Sequence, residues 1–105
     1  MTVVWPYGGN HVQVAGELVG GWDQRAVLQQ APPNFSPCFD VPPAAHYLRV
    51  MGLAPGMYHY KFIVDNRWVM HMKAPTDVDR SGNWNNVLTV KYDSRHGIRG
   101  DDVSV

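Results

Sequence analysis

Tryptophan is the residue type of this 105-residue sequence best suited to binding chemistry. Trp22 follows a Gly-Gly pair, Trp68 follows a two-residue turn, and Trp84 stands among asparagines, whereas Trp5 is expected in the core. A glucose ring has a flat patch of C–H bonds on its face and hydroxyls around its rim, so a sugar site needs aromatic planes flanked by amides and a cation. The candidate site residues are three tryptophans, a lysine and two asparagines: Trp22, Lys61, Trp68, Asn83, Trp84 and Asn85.

The remaining reactive residue types form no catalytic or metal-binding pattern. The hydroxyls and Cys38 lie in no local signature that groups them with a histidine. Glycosidase chemistry needs two carboxylates across a sugar bond, and only Asp77 and Asp79 lie near the candidate site, where both are interpreted as solvated loop charges. The five histidines show neither HExxH nor Cys/His spacing. We therefore expect a protein that is not an enzyme, with no cofactor and no metal.

Charge and composition narrow the class of partner. Nine Lys+Arg balance nine Asp+Glu, so no strong field favours nucleic acid or an anionic membrane, and a neutral ligand is expected. No stretch approaches the roughly 20 apolar residues of a membrane span. Cys38 is the only cysteine, which excludes an internal disulfide and favours an intracellular setting.

The elements that must position these residues are all β. No segment of a dozen residues has helical periodicity, and short β-rich runs alternate with turn residues, which is typical of an antiparallel β-sandwich. Residues 1–92 are predicted as one domain and 93–105 as a polar, flexible tail. Strands are predicted at 3–7, 11–15, 26–29, 47–53, 57–64 and 86–92. Loops are predicted at 20–23, at 31–43 as a proline-rich surface insertion, and at 70–81.

The strongest strand signal, at 57–64, also predicts a hairpin. Its aromatic residues share one face, whereas His59, Lys61 and Ile63 share the other. The Asp-Asn pair at 65–66 is a two-residue turn that tolerates positive φ. The side chain of Trp68 should therefore point outward beside Lys61, away from the core. The expected cross-strand pairs are Val64 with Arg67, Ile63 with Trp68, and Lys61 with Met70.

Several stretches together resemble a known family, the family 48 carbohydrate-binding modules, in the form found in β and plant βγ subunits of AMP-activated protein kinase relatives. They are VWPYGG at 4–9, VAG at 14–16 leading to GW at 21–22, GMYHYKFIVDNRW at 56–68, and NNV at 85–87. The resemblance implies an immunoglobulin-like sandwich that binds α-1,4-linked glucan, either starch or glycogen. It also implies a targeting or regulatory role within a larger kinase-subunit or starch-metabolism protein, in the cytoplasm, or in a plastid if the ligand is starch. The expected protein partners are a kinase catalytic subunit or other domains of a parent chain.

The same resemblance implies roles for single residues. Trp22 and Trp68 correspond to sugar-stacking tryptophans, Lys61 to a sugar-contacting lysine, and Asn85 to a hydrogen-bonding asparagine, while Asn83 matches a position near the ligand. The chain departs from the family where Ser81 replaces the usual leucine, and Gln29-Gln30 occupy the place of a regulatory serine. Two alternatives stay open: a protein-interaction sandwich of the same fold that has lost sugar binding, and an accessory domain of a glucan-active enzyme.

Overall fold

The chain folds into two antiparallel β-sheets. A computed structural model describes residues 1–91, which contain nine strands. These are β1 (Thr2–Trp5), β2 (Val12–Gly16), β3 (Gly21–Val27), β4 (Gln29–Gln30), β5 (His46–Arg49), β6 (Gly56–Val64), β7 (Arg67–Val69), β8 (Thr76–Val78) and β9 (Trp84–Val90). The smaller sheet has the order β1-β5-β4, and the larger has the order β3-β2-β6-β9-β8, with β7 also paired to β6. The predicted all-β sandwich is confirmed, and the predicted tail at 93–105 lies outside the described residues.

Helical structure contributes little to this architecture. One turn of 3-10 helix, Glu17–Val19, connects β2 to β3, and the described residues contain no α-helix. None of the described helical structure has the length and apolar character needed to cross a membrane.

The main core lies between the two sheets and follows the period-two alternation of the strands. Phe62 is completely buried and lies 4.9 Å from the ring of Trp5 and 5.7 Å from that of Tyr60, measured between centroids. The predicted inward face of 57–64 and the predicted burial of Trp5 are therefore confirmed. The buried members of the cluster are Val3, Trp5, Val12, Val14, Leu18, Leu28, Tyr60 and Phe62.

The proline-rich segment does more than cover the surface. It is irregular, as predicted, with one isolated bridge between Cys38 and Val41. However, Ala31 and Val41 are buried and form a second small cluster with Ala45. Most of the segment is exposed, as predicted for a surface insertion, but Ala31 and Val41 also pack against the smaller sheet.

Two strands occupy segments predicted as loops. Strand β3 begins at Gly21, whose φ of 141° is a conformation that glycine adopts readily. The predicted loop through residue 23 therefore ends earlier, and Trp22 and Asp23 belong to a strand. Strand β8 lies inside the predicted loop 70–81 and is only three residues long, too short for an alternation signal. The strand predicted at 26–29 belongs partly to β3 and partly to β4, and the closing strand begins at Trp84, two residues earlier than predicted.

The β6–β7 hairpin follows the predicted register over most of its length. Asp65 and Asn66 adopt φ values of 49° and 69°, as a tight turn requires. Val64 pairs with Arg67 and Ile63 with Trp68, as predicted. The pairing ends with Phe62 opposite Val69, so the predicted pair of Lys61 with Met70 does not form; residues beyond Val69 leave the strand instead.

Candidate functional site

An exposed pair of tryptophans lies on the outer face of the larger sheet. The ring centroids of Trp22 and Trp68 are 6.5 Å apart, with 43° between the ring planes. The side chains are 41% and 48% exposed, against 7% for Trp5. They border a depression of about 280 Å³ whose other lining residues are Lys61, Asp79, Asn83 and Asn85. Five of the six residues predicted for the site therefore meet at one place.

An irregularity between β2 and β3 brings Trp22 to this face. Ala15 pairs with Arg25, but the next residue, Gly16, pairs with Gly21, so residues 22–24 have no partner on β2. Such bulges re-aim side chains. Gly16 permits the arrangement, because a Cβ on it would lie 2.4 Å from the carbonyl oxygen of His59 on the neighbouring strand. The glycines around Trp22 thus serve the placement of the ring.

The tryptophan pair stands on a buried, apolar part of the sheet. Ile63 faces the same side as its cross-strand partner Trp68, yet it is only 1% exposed. Ala15, in the neighbouring row of the same face, is fully buried. The two indoles are therefore supported from below and keep part of their surface open to solvent, which is the condition for stacking against a flat ligand.

The loop between β8 and β9 forms the polar rim of the site, and Asp79 organises it. Its Oδ1 accepts hydrogen bonds from the backbone N–H groups of Ser81 and Asn83, both at 2.9 Å. Its Oδ2 accepts one from Asn85 Nδ2 at 3.3 Å. The bond from Asn83 is the chief reason that the pKa of Asp79 is lowered. Asp79 is thus a charge on an exposed loop, as interpreted from the sequence, but it also holds the backbone of Asn83 and the side chain of Asn85 in place.

Asn85 is the best-placed hydrogen-bonding side chain of the depression. It is 2% exposed, and its Nδ2 is directed toward Asp79 and the carbonyl oxygen of Asn83. No donor within residues 1–91 meets its Oδ1. An amide held in this way offers a fixed acceptor to a hydroxyl group.

Trp84, also predicted for the site, lies elsewhere. It pairs with Val78, whereas the adjacent residue Asn85 pairs with Asp77, so Trp84 and Asn85 face opposite sides of the sheet. Trp84 is 56% exposed and does not line the depression around Trp22 and Trp68. Its exposure was predicted correctly, but its place in the strand directs it away from the other five residues.

Two features beside the site were missed by sequence reasoning. The guanidinium of Arg25 lies 5.4 Å from the centre of the Trp68 ring, within the range of a cation–π contact. This contact could not be predicted while β3 was placed too late in the chain. The role of Asp79 had a weak signal: an aspartate two residues before a serine is suited to an Asx turn, in which the side chain accepts a nearby backbone N–H.

A histidine clamped by two carboxylates joins three elements next to the site. His59 Nδ1 lies 3.2 Å from Glu17 Oε1, and Nε2 lies 3.1 Å from Asp77 Oδ2. The hydrogen bond to Asp77, assisted by Glu17, raises the pKa of His59. Asp77, interpreted from sequence as a solvated loop charge, instead anchors the edge strand β8 to β6. Among the described residues, no group of three or more His, Cys, Asp or Glu side chains is arranged to hold a metal ion.

An all-β sandwich with exposed tryptophans ringed by amides is typical of a non-catalytic carbohydrate-binding module. Comparison with known proteins gives the same class and specifies it: residues 49–96 match a family model described as the glycogen recognition site of AMP-activated protein kinase. This match confirms the family resemblance drawn from the sequence. The module is non-catalytic, since the family it matches is a recognition site.

Three relatives match most of the chain. The SNF1-related protein kinase regulatory subunit beta-2 of Arabidopsis thaliana is 29% identical over 90 residues, which cover 85% of this chain and 26% of the relative. The SNF1 protein kinase subunit beta-3 of Saccharomyces cerevisiae is 31% identical, with coverages of 86% and 19%. The chloroplastic phosphoglucan phosphatase LSF1 of Arabidopsis thaliana is 29% identical, with coverages of 86% and 14%. The chain thus spans between 14% and 26% of the length of these relatives.

Proposed function

We propose that this chain binds α-1,4-linked glucan, as starch, glycogen or maltooligosaccharide, by stacking glucose rings on Trp22 and Trp68. The observation that carries the proposal is the pair itself: two half-exposed indoles, 6.5 Å apart, over a buried floor. Two ring faces covering roughly 200 Å² of apolar area contribute about 5 kcal/mol before association costs. We expect dissociation constants on the order of micromolar to millimolar for short glucans.

The tilt between the rings favours a curved glucan. A chain whose glucose rings lie in one plane would stack best on two coplanar platforms, whereas Trp22 and Trp68 are inclined by 43°. The α-1,4 linkage turns each glucose ring relative to the last, so successive rings of such a chain can each meet one inclined indole. This supports an α-glucan over a flat β-linked chain.

Polar groups around the rings would fix the orientation of the sugar. Lys61 supplies a donor, and the Oδ1 of Asn85 supplies an acceptor. Asn83, next to them in the rim, is held by Asp79 through its backbone N–H and also lines the depression. The depression thus offers hydroxyl partners on the side of the rings nearest β9.

The wider role we propose is targeting or regulation of a larger protein. Two relatives are named as kinase subunits and one as a phosphoglucan phosphatase, and this chain spans only a fraction of each. A kinase catalytic subunit or other domains of a parent chain are therefore the expected protein partners. One relative is described as chloroplastic, which supports a plastid or another intracellular location.

The test is a titration of isotope-labelled protein with maltoheptaose, followed by NMR of the four tryptophan side-chain N–H signals. We expect saturable shifts at Trp22 and Trp68 and none at the buried Trp5. We also expect Trp68→Ala to weaken binding by about 30-fold or more, since a central aromatic anchor contributes at least ~2 kcal/mol. Its melting temperature should change little, because the ring is half exposed.

Trp84→Ala is the matched control. It also removes an exposed tryptophan, but one outside the depression, so maltoheptaose affinity should remain as in the unmodified protein. Cellohexaose, a flat β-linked chain, serves as the ligand control and should bind weakly. A lack of shifts at millimolar maltoheptaose would reject the proposal and favour a protein-interaction sandwich, for which the loss of the family's leucine at Ser81 is the supporting observation.

A further inference from the structure

Two cations flank the tryptophan pair without an acidic partner. Arg25 and Lys61 pair with Ala15 from its two sides, so both project from the outer face, with their Cα atoms two strand spacings, about 10 Å, apart. The ion pairs found within residues 1–91 involve only His59 with Glu17 and Asp77. Neither Arg25 nor Lys61 is therefore neutralised by a carboxylate in the described structure.

The one carboxylate in the depression is occupied by internal hydrogen bonds. Asp79 accepts the backbone N–H groups of Ser81 and Asn83 and the amide of Asn85. Because these donors occupy its oxygens, Asp79 forms no ion pair with Arg25 or Lys61 in the described structure. Asp77, further along the same face, is paired with His59. Arg25 and Lys61 are therefore the two cations beside the tryptophan pair that remain without an ion-pair partner among residues 1–91.

Arg25 contacts the ring of Trp68. Its guanidinium lies 5.4 Å from the ring centre, which restrains a side chain that would otherwise be mobile. A guanidinium stacked on a ring keeps its N–H edge free, and this edge matches the oxygens of a phosphate group. Because Trp68 is the proposed stacking platform, this contact places the guanidinium next to the ring that would hold a glucose.

From these contacts we infer that the site prefers an α-glucan that carries a phosphate monoester, with Arg25 and Lys61 as the phosphate-binding pair. The inference rests on the proposed glucan binding at Trp22 and Trp68 and adds a specificity for charge. The stacked glucose rings supply the shared contacts, and a phosphate on a rim hydroxyl receives hydrogen bonds from Arg25 and attraction from Lys61. Arg25 is then the residue that distinguishes phosphorylated from neutral glucan.

The experiment compares the affinities of the full chain for maltoheptaose and for singly phosphorylated maltoheptaose at low and at high salt. We expect the phosphorylated ligand to bind about fivefold more tightly at low salt, as is reasonable for exposed charge pairs. High salt should reduce this ratio toward one. In Arg25→Gln the ratio should be close to one at both salt concentrations, whatever the change in the affinity for neutral maltoheptaose.

Arg49→Gln is the matched control, because it removes an exposed arginine from β5 of the smaller sheet and should keep the fivefold ratio. Equal affinities in the unmodified protein, or an unchanged ratio in Arg25→Gln, would overturn the inference while maltoheptaose binding upholds the proposed function. Failure of both ligands to bind would reject both proposals. Inorganic phosphate alone should not shift the Trp68 N–H signal; an equal shift would show a general anion site instead.

Discussion

In the larger sheet, side chains that pack in the core and side chains that face solvent belong to adjacent residues of the same strands. Phe62 and Val69 face the core, whereas the adjacent residues Ile63 and Trp68 face outward. Inside, Phe62 is completely buried within 4.9 Å of Trp5; outside, Trp68 keeps 48% of its surface exposed. The comparison shows that packing and the proposed recognition occupy opposite faces of one hairpin. Stability and binding should therefore respond to different substitutions.

The largest effect is expected from Phe62→Ala, which removes an aromatic ring from the core. Removing a fully buried aromatic ring costs about 3–5 kcal/mol, a large part of the stability of a small domain. We expect a strong fall in the midpoint of urea unfolding. The milder Phe62→Leu should remain folded and retain maltoheptaose affinity within about twofold, since Trp22 and Trp68 are untouched. A large loss of affinity in folded Phe62→Leu would contradict the separation of the two faces.

An intermediate effect is expected from Asp79→Ala, which disturbs the rim of the site. The variant removes the acceptor for Ser81 N–H, Asn83 N–H and the Asn85 amide. Without it the loop and Asn85 lose their fixed orientation, and we expect about tenfold weaker maltoheptaose binding by calorimetry. Asp79→Asn keeps one acceptor oxygen and should therefore show a smaller loss of maltoheptaose affinity. Unchanged affinity in Asp79→Ala would show that the rim does not hold the sugar.

The smallest effect concerns pH and the clamp on His59. Its pKa is raised in the fold, chiefly by Asp77, so the clamp stabilises fully below the ordinary histidine pKa of about 6.5 and is lost as pH rises through the folded-state pKa. His46 and His71 act in the opposite direction, because burial lowers their pKa values. The contribution of His59 must therefore be measured as the difference in melting temperature between the unmodified protein and His59→Gln at each pH.

We expect the melting temperature of the unmodified protein to exceed that of His59→Gln at pH 5.5 and the gap to narrow by a few degrees or less at pH 8. The effect is small because Glu17 and Asp77 are about half exposed and screened by water. The pKa values of both carboxyls are lowered, with their own titration below this pH range. A gap that widens at pH 8 would contradict the assigned charge on His59.

Predictions from the sequence were most accurate for the β6–β7 hairpin, where both the alternation of side chains and the turn residues could be recognised. The alternation of 57–64 and the Asp-Asn turn were sufficient to orient Trp68 and Lys61 correctly, because register in a tight hairpin is local. The length of the β6–β7 pairing could not be predicted in the same way. Lys61 pairs with Ala15 on β2, which is distant in the sequence, and not with Met70. The strand ends after Val69, where no pattern in the sequence marks the change.

Features that depend on distant pairing could not be predicted. The bulge that re-aims Trp22 arises from how β2 and β3 pair, and the position of Trp84 depends on β8, a strand of three residues with no signal of its own. Arg25 likewise gained its contact with Trp68 only once β3 and the β6–β7 hairpin, which are far apart in the chain, were placed in the same sheet. Residue type suggested the ligand class, but the sheet order decided which residues meet.

The proposed site draws on β3, on the β6–β7 hairpin and on the β8–β9 loop, which become neighbours only when the whole larger sheet has formed. No partly folded chain that lacks one of these elements can offer the complete binding surface. A glucan bound there is therefore thermodynamically linked to global folding, and it stabilises the domain in proportion to the logarithm of ligand concentration. Attachment to a concentrated glucan polymer would therefore raise the free energy of unfolding of the bound domain.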